Sequence, residues 1–119
     1  MTTTIYEKVG GEQAIAQIVD TFYEKVLADD RVNHFFKDTD MDKQREHQAK
    51  FISHALGGPN QYSGQSMAKA HEGMNLQHEH FDAIVQHLTS ALLQHKVSES
   101  DVREAIRRVQ GLEQDIINK

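Results

Sequence analysis

The chain contains no cysteine, and only one proline and seven glycines among its 119 residues. The missing thiols exclude disulfides, iron–sulfur ligation, thiolate zinc sites and a cysteine nucleophile, and they suit a reducing compartment. Scarce proline and glycine favour long helices with few breaks. Basic side chains are also in the minority, 13 against 18 acidic ones for a net charge of −5. A protein that coats nucleic acid carries the opposite balance. No apolar run approaches the roughly 20 residues of a membrane span. The N-terminus, Met1 to Glu7, lacks the basic stretch and apolar run of a signal peptide. The expectation is one cytoplasmic domain over residues 1–119, away from membranes and nucleic acid. It is long enough to bury roughly two-thirds of its unfolded surface in one core. Histidine, in contrast, is plentiful: there are eight. With no thiol present, imidazole ligation is the metal chemistry to look for.

The helix punctuation is legible. Thr4-Ile5-Tyr6-Glu7 has the capping-box spacing and opens a helix that Gly10-Gly11 stops almost at once. A second helix is predicted from about Glu12 to Leu27, with Ala14, Ile15, Ile18, Val19, Phe22, Val26 and Leu27 on its apolar face. Asp29 and Asp30 can cap a short turn from Val32 to Phe36, and Asp40 the helix that follows, to about Leu56. Gly57-Gly58-Pro59-Asn60 ends that helix and begins a loop over 57–65. Ser66 can cap a short helix carrying His71, which frays at Gly73. Another helix spans about Gln77 to His95, with Phe81, Ile84, Val85, Leu88 and Leu92 inward. A last helix, opened by the Ser98/Asp101 cap spacing, carries Val102, Ala105, Ile106, Val109, Leu112 and Ile116. No strand-like alternation, repeat or linker is present, so the fold class is all-α, with four long helices and several short ones.

One helix breaks the rule for buried faces. Its stripe over 40–56 runs Gln44, His47, Gln48, Phe51, Ile52, Ala55. The C-terminal half is apolar, but the N-terminal half is amide, imidazole, amide. Such groups are costly to bury without partners, so either something polar faces them or that end is solvated. Tyr23 lies beside the apolar face of the second helix; its hydroxyl is expected at the rim, or in one pocket with Gln44 and Gln48. Phe35-Phe36 reads as core, or as a wedge against a flat cofactor. His71, with Met67 one turn before it, has no local signature of a metal site, and such a histidine is more often structural or exposed than a ligand. His78-x-His80 and His87 have zinc-like spacing, but no carboxylate or cysteine in the sequence completes a set, so no specific zinc site is expected there. His34, His54 and His95 read as surface or interhelix residues.

Taken in order, Tyr23, Phe35-Phe36, Met41-Asp-Lys-Gln44-Arg-Glu-His47-Gln48, Gly57-Gly58, Tyr62-Ser-Gly64 and Met67-x-x-x-His71 resemble the truncated haemoglobins of group I. The stretch from Ala70 through His80-Phe81 is similar to ciliate, algal and cyanobacterial members. The resemblance covers essentially the whole chain. It implies a shortened globin fold, two helices over two, around a haem b. His71 would be the proximal iron ligand, a neutral imidazole nitrogen being the usual globin axial ligand. Phe35, Phe36, Gln44, His47, Phe51, Tyr62, Met67, Leu76 and Phe81 would line the haem along with His71. Tyr23, Gln44 and Gln48 would donate hydrogen bonds to the partial negative charge that dioxygen acquires beside ferrous iron. His47 stands where some relatives supply a sixth iron ligand. No histidine follows His95. The covalent haem–histidine bond of some cyanobacterial relatives needs one in the last helix, so the haem is expected to be noncovalent. Ile52 replaces the phenylalanine said to gate a gas tunnel in some members.

The resemblance implies binding of dioxygen, nitric oxide and carbon monoxide for storage, transport or sensing, by a monomer. It also admits a nitric oxide dioxygenase reaction, with a cellular reductase to recover ferrous haem, or a peroxidase-like activity. A haem-free helical interaction domain is the reading from a different class.

Overall fold

The structure, a computed structural model, describes residues 4–58 and 76–117. No strand occurs among them. Helix α1 (Ile5–Val9) begins where the Thr4 hydroxyl accepts the Glu7 N–H at 3.1 Å. It ends at Gly10, whose φ of 114° is the left-handed conformation that glycine adopts without penalty. Helix α2 (Gly11–Leu27) follows directly. A 3-10 turn covers Asn33–Phe36, and α3 (Met41–Ala55) starts under Asp40, whose carboxylate accepts the N–H groups of Asp42 and Lys43. Beyond 75 come α4 (His78–Gln94), α5 (Glu99–Gln110) and α6 (Glu113–Ile116). The Ser98 hydroxyl accepts the Asp101 N–H at 3.3 Å and caps α5. The short helix expected from Ser66, with His71 on it, lies outside the described residues.

Two expectations about the helices need correction. The last one is not continuous: Gly111-Leu112 separates α5 from α6. Glycine is the weakest non-proline residue for holding a helix interior, and here it caps α5 by donating to the carbonyls of Arg107 and Val109. On α2, Ile15, Ile18, Val19, Phe22 and Val26 are buried as their spacing predicts, but Leu27 is exposed and Tyr23 is 1 % exposed. The reason is coverage from two sides. Helix α2 packs against both α3 and α4, which widens its buried stripe to include Tyr23. At Leu27 the helix ends, and with it that cover.

The four long helices close on one another: α2 on α3, α3 on α5, α5 on α4 and α4 on α2. This is the two-over-two globin arrangement. Polar ties cross between the elements. Arg45 reaches Asp20 at 3.5 Å, Thr21 pairs with His95 at 2.7 Å, and Arg108 donates to the Ala55 carbonyl at 3.1 Å. His87 Nε2 lies 2.6 Å from Asp29, which also holds the Arg31 guanidinium. The Arg31 hydrogen bonds, then that of His87, keep the Asp29 carboxyl far below the usual carboxylate range. At the end of α3 the Gly58 N–H donates to the Ser53 carbonyl at 2.7 Å. A Cβ on Gly58 would sit 2.7 Å from the Tyr6 ring and 2.9 Å from that carbonyl, so only glycine fits between α1 and α3. No helix among the described residues is long and apolar enough to cross a membrane.

Candidate functional site

Gln44, at the start of the α3 stripe, faces the buried tyrosine of α2. Gln44 Nε2 donates to the Tyr23 hydroxyl oxygen at 3.1 Å. The two residues lie 21 apart in sequence and meet because α3 packs across α2. Around the Tyr23 ring, Phe22 stands edge-on at 4.9 Å between centroids and Phe36 edge-on at 5.7 Å. These are preferred aromatic geometries that hold the ring at a fixed angle. The hydroxyl thus sits at the end of an immobilised ring, in an apolar setting. Burial pushes its pKa up to about 12, against the opposing pull of the Gln44 hydrogen bond and the Arg45 charge. Tyr23 is therefore a neutral donor at any physiological pH. Since Gln44 donates to its oxygen, the hydroxyl proton remains to be given to a third group.

The other predicted residues divide. Gln48 is half-buried, one turn beyond Gln44 on α3, whereas His47 is exposed. Phe36 contacts Tyr23, but Phe35 turns the other way, edge-on to His80 at 5.0 Å and tilted against His34 at 4.1 Å. The 3-10 turn thereby joins α2 to the start of α4. Phe51, Leu76 and Phe81 are buried in the same apolar cluster as Tyr23. Tyr62, Met67 and His71 lie outside the described residues.

Two features escaped the sequence. His80 Nδ1 accepts the Gln77 N–H at 3.0 Å, closing the first turn of α4 while its ring packs on Phe35. The signal was its place three residues after the helix cap, where a glutamate or glutamine is the familiar occupant. The histidines with zinc-like spacing do not converge: His80 takes the Gln77 N–H, His87 takes Asp29, and His78 takes Asp82 and Glu113. Carboxylates therefore do gather on His78, contrary to the expectation that none completes a set. Asp82 is four residues away on the same helix face; Glu113 is 35 residues distant and arrives only through the packing of α6 on α4.

The donors on the described side suit a haem with a polar diatomic ligand. A neutral hydroxyl and the Gln44 amide meet inside an otherwise apolar, aromatic wall, Gln48 is half-buried one turn along, and among the described residues no charged side chain is fully buried there. The groove between the end of α3 and α5, about 420 Å³ and lined by His54, Ala55, Arg108, Gly111 and Leu112, is a separate feature. It contains none of these donors.

Residues 4–118 match the family model described as bacterial-like globin. The chain is 49% identical over 116 residues to a group 1 truncated hemoglobin of Tetrahymena pyriformis, covering 98% of this chain and 96% of the relative. It is 41% identical over 117 residues to the group 1 truncated hemoglobin GlbN of a Nostoc species, covering 98% and 99%. Among solved structures, the Fe(III) form of the Tetrahymena pyriformis truncated hemoglobin superposes with a TM-score of 0.90 at 49% identity, covering 98% of this chain and all of that one. The 2/2 hemoglobin of a Synechococcus species, solved in the cyanomet state with covalently attached heme, superposes with a TM-score of 0.88 at 41% identity, covering 98% and 100%. Solved single variants of the Tetrahymena protein replace one tyrosine and two glutamines, at the same intervals as Tyr23, Gln44 and Gln48.

Proposed function

Since the chain belongs to the bacterial-like globins, as a group 1 truncated haemoglobin that binds ligands at a haem, we propose that it holds a noncovalent haem b through His71 and takes up dioxygen, nitric oxide or carbon monoxide on the side of Tyr23. The observation that carries this reading is the Gln44–Tyr23 hydrogen bond at 3.1 Å, between a half-buried amide and a fully buried hydroxyl. It explains why a helix otherwise apolar toward the core begins with glutamines.

Haem, when bound, supplies an iron that coordinates a diatomic molecule reversibly. The protein's part is to orient and to donate. Phe22 and Phe36 fix the Tyr23 ring; Gln44 fixes its oxygen; the hydroxyl proton is directed at whatever polar atom enters. Gln48, one turn further along α3, adds a second amide at the same wall. A hydrogen bond to a charged or strongly polarised acceptor contributes about 1.5–3 kcal/mol, so these donors slow the escape of dioxygen more than that of less polar carbon monoxide. The apolar surroundings strengthen the same bonds by excluding water. The sequence offers no histidine after His95 to link covalently to a haem, which supports a noncovalent group.

Absorption spectroscopy tests the assignment. The purified chain should show a Soret band, and His71→Ala should lose haem or the globin-like ferrous spectrum. A normal ferrous spectrum with normal haem affinity in that variant would place the axial ligand elsewhere.

A further inference from the structure

We propose that His78, Asp82 and Glu113 form a binding site for a divalent transition metal of the zinc class, away from the distal wall of Tyr23 and Gln44. One nitrogen of His78 and one carboxylate oxygen each from Asp82 and Glu113 all lie within 4.8 Å of one another. His78 Nε2 is 3.0 Å from Asp82 Oδ2, and His78 Nδ1 contacts Glu113 Oε1. Zinc bonded to nitrogen and oxygen at its usual lengths holds neighbouring ligand atoms roughly 3.4 Å apart in a tetrahedron. Asp82 and Glu113 meet different nitrogens of the His78 ring, so an ion takes one nitrogen and the carboxylate at the other turns round the ring edge to reach it; His78 and Asp82 are exposed enough to move.

The chemistry selects the ion class. His78 and Asp82, four residues apart, stand one above the other on the same face of α4, the spacing by which helices chelate metals. Glu113 closes the set from α6. An imidazole with two carboxylates suits zinc and its neighbours, whereas calcium and magnesium prefer oxygen alone. Three protein ligands leave a fourth position for water. The Glu113 hydrogen bond, then the charges of Asp82 and Glu113, favour the protonated imidazole. The groups that face His78 are Asp82 from its own helix and Glu113 from α6, both acidic. Proton and ion compete for the same ring, so affinity rises with pH. An occupied site would tie the C-terminal helix to the first turn of α4, seven residues after His71 in the sequence.

Calorimetric titration of zinc chloride into the purified full-length chain at pH 7.5 tests the site. The expected result is one equivalent bound saturably, lost in His78→Ala and weakened tenfold or more in Glu113→Gln. It should persist in His80→Ala, because His80 turns its Nδ1 to the Gln77 N–H. Unchanged helical circular dichroism in each variant shows that the fold survives. Absence of saturable binding in the parent chain, retention of full affinity in His78→Ala, or equal loss in His80→Ala would each overturn the proposal.

Discussion

Tyr23 and His78 are each held by a hydrogen-bonding partner from a distant part of the chain, yet the two contacts work in opposite ways. Tyr23 is sealed between α2, α3 and the 3-10 turn, and burial suppresses its ionisation. His78 sits at the surface, where the Glu113 hydrogen bond, followed by the charges of Asp82 and Glu113, favours its protonated form and raises its pKa. Exclusion of water favours the neutral form of one polar group; neighbouring acids at the surface favour the charged form of the other. A hydrogen bond to a distant residue thus yields a fixed neutral donor in the first place and an exchangeable clip in the second, because the surrounding dielectric and the neighbouring charges differ.

The sharpest way to break this contrast is to empty the buried side. Tyr23→Ala removes a ring packed on two aromatics and should lower unfolding stability by about 3–5 kcal/mol, as large-to-small changes in cores do. Chemical denaturation measures it. The same truncation at exposed His78 should leave the midpoint nearly unchanged.

Tyr23→Phe keeps the ring and removes only the donor. In the haem-loaded chain, dioxygen release should quicken by about tenfold to a hundredfold, the equivalent of 1.5–3 kcal/mol. Adding Gln44→Leu should cost less than the sum of the two single changes, since both groups serve one small space. Stopped-flow dissociation gives the rates, and an unaltered rate in Tyr23→Phe would show that the hydroxyl does not donate to the ligand.

His47 tests how far the polar wall extends. It lies between Gln44 and Gln48 in sequence but is exposed while they are half-buried. We propose that in the unliganded ferric state it turns inward and serves as a sixth iron ligand, the role its place on the stripe suggests. The ferric spectrum should then be low-spin in the parent chain and high-spin or water-bound in His47→Leu. Identical high-spin spectra would leave the distal wall to Tyr23, Gln44 and Gln48.

The smallest effect belongs to the clip. A histidine whose pKa is raised on folding adds stability in full below its unfolded value of about 6.5 and loses it as pH rises through the raised value. Docking of α6 on α4 should accordingly loosen between mildly acidic and alkaline pH. Faster amide exchange in 113–116 would report it after correction for the intrinsic pH effect, and His78→Ala should abolish the difference. Because the group is exposed, the shift should be visible locally rather than in the global melt.

Local chemistry made much of the fold legible. Thr4, Asp40 and Ser98 cap the helices their spacing predicts, and each does so with its own side chain. The periodic apolar residues of α2, α4 and α5 mark the faces that are buried. Gln44, His47 and Gln48 on an inward stripe admit two readings, a polar partner or a solvated end; Tyr23 decides for the first at Gln44, while His47 is exposed. Two expectations failed for different reasons. Leu27 reads as core by period but lies where the cover of α3 and α4 has ended, whereas the final helix, continuous by its apolar spacing, breaks at Gly111 through a local cause, the poor hold of glycine in a helix interior.

What the sequence determined alone was everything that acts within about a turn of helix: caps, breaks, apolar stripes, the supply of imidazoles and the absence of thiols. The tertiary structure alone decided which polar groups meet. Gln44 reaches Tyr23 across 21 residues and Glu113 reaches His78 across 35. It also decided that the first pair is dry and the second wet. Burial is a property of what packs above a residue, and helical period reports only the direction in which its side chain points.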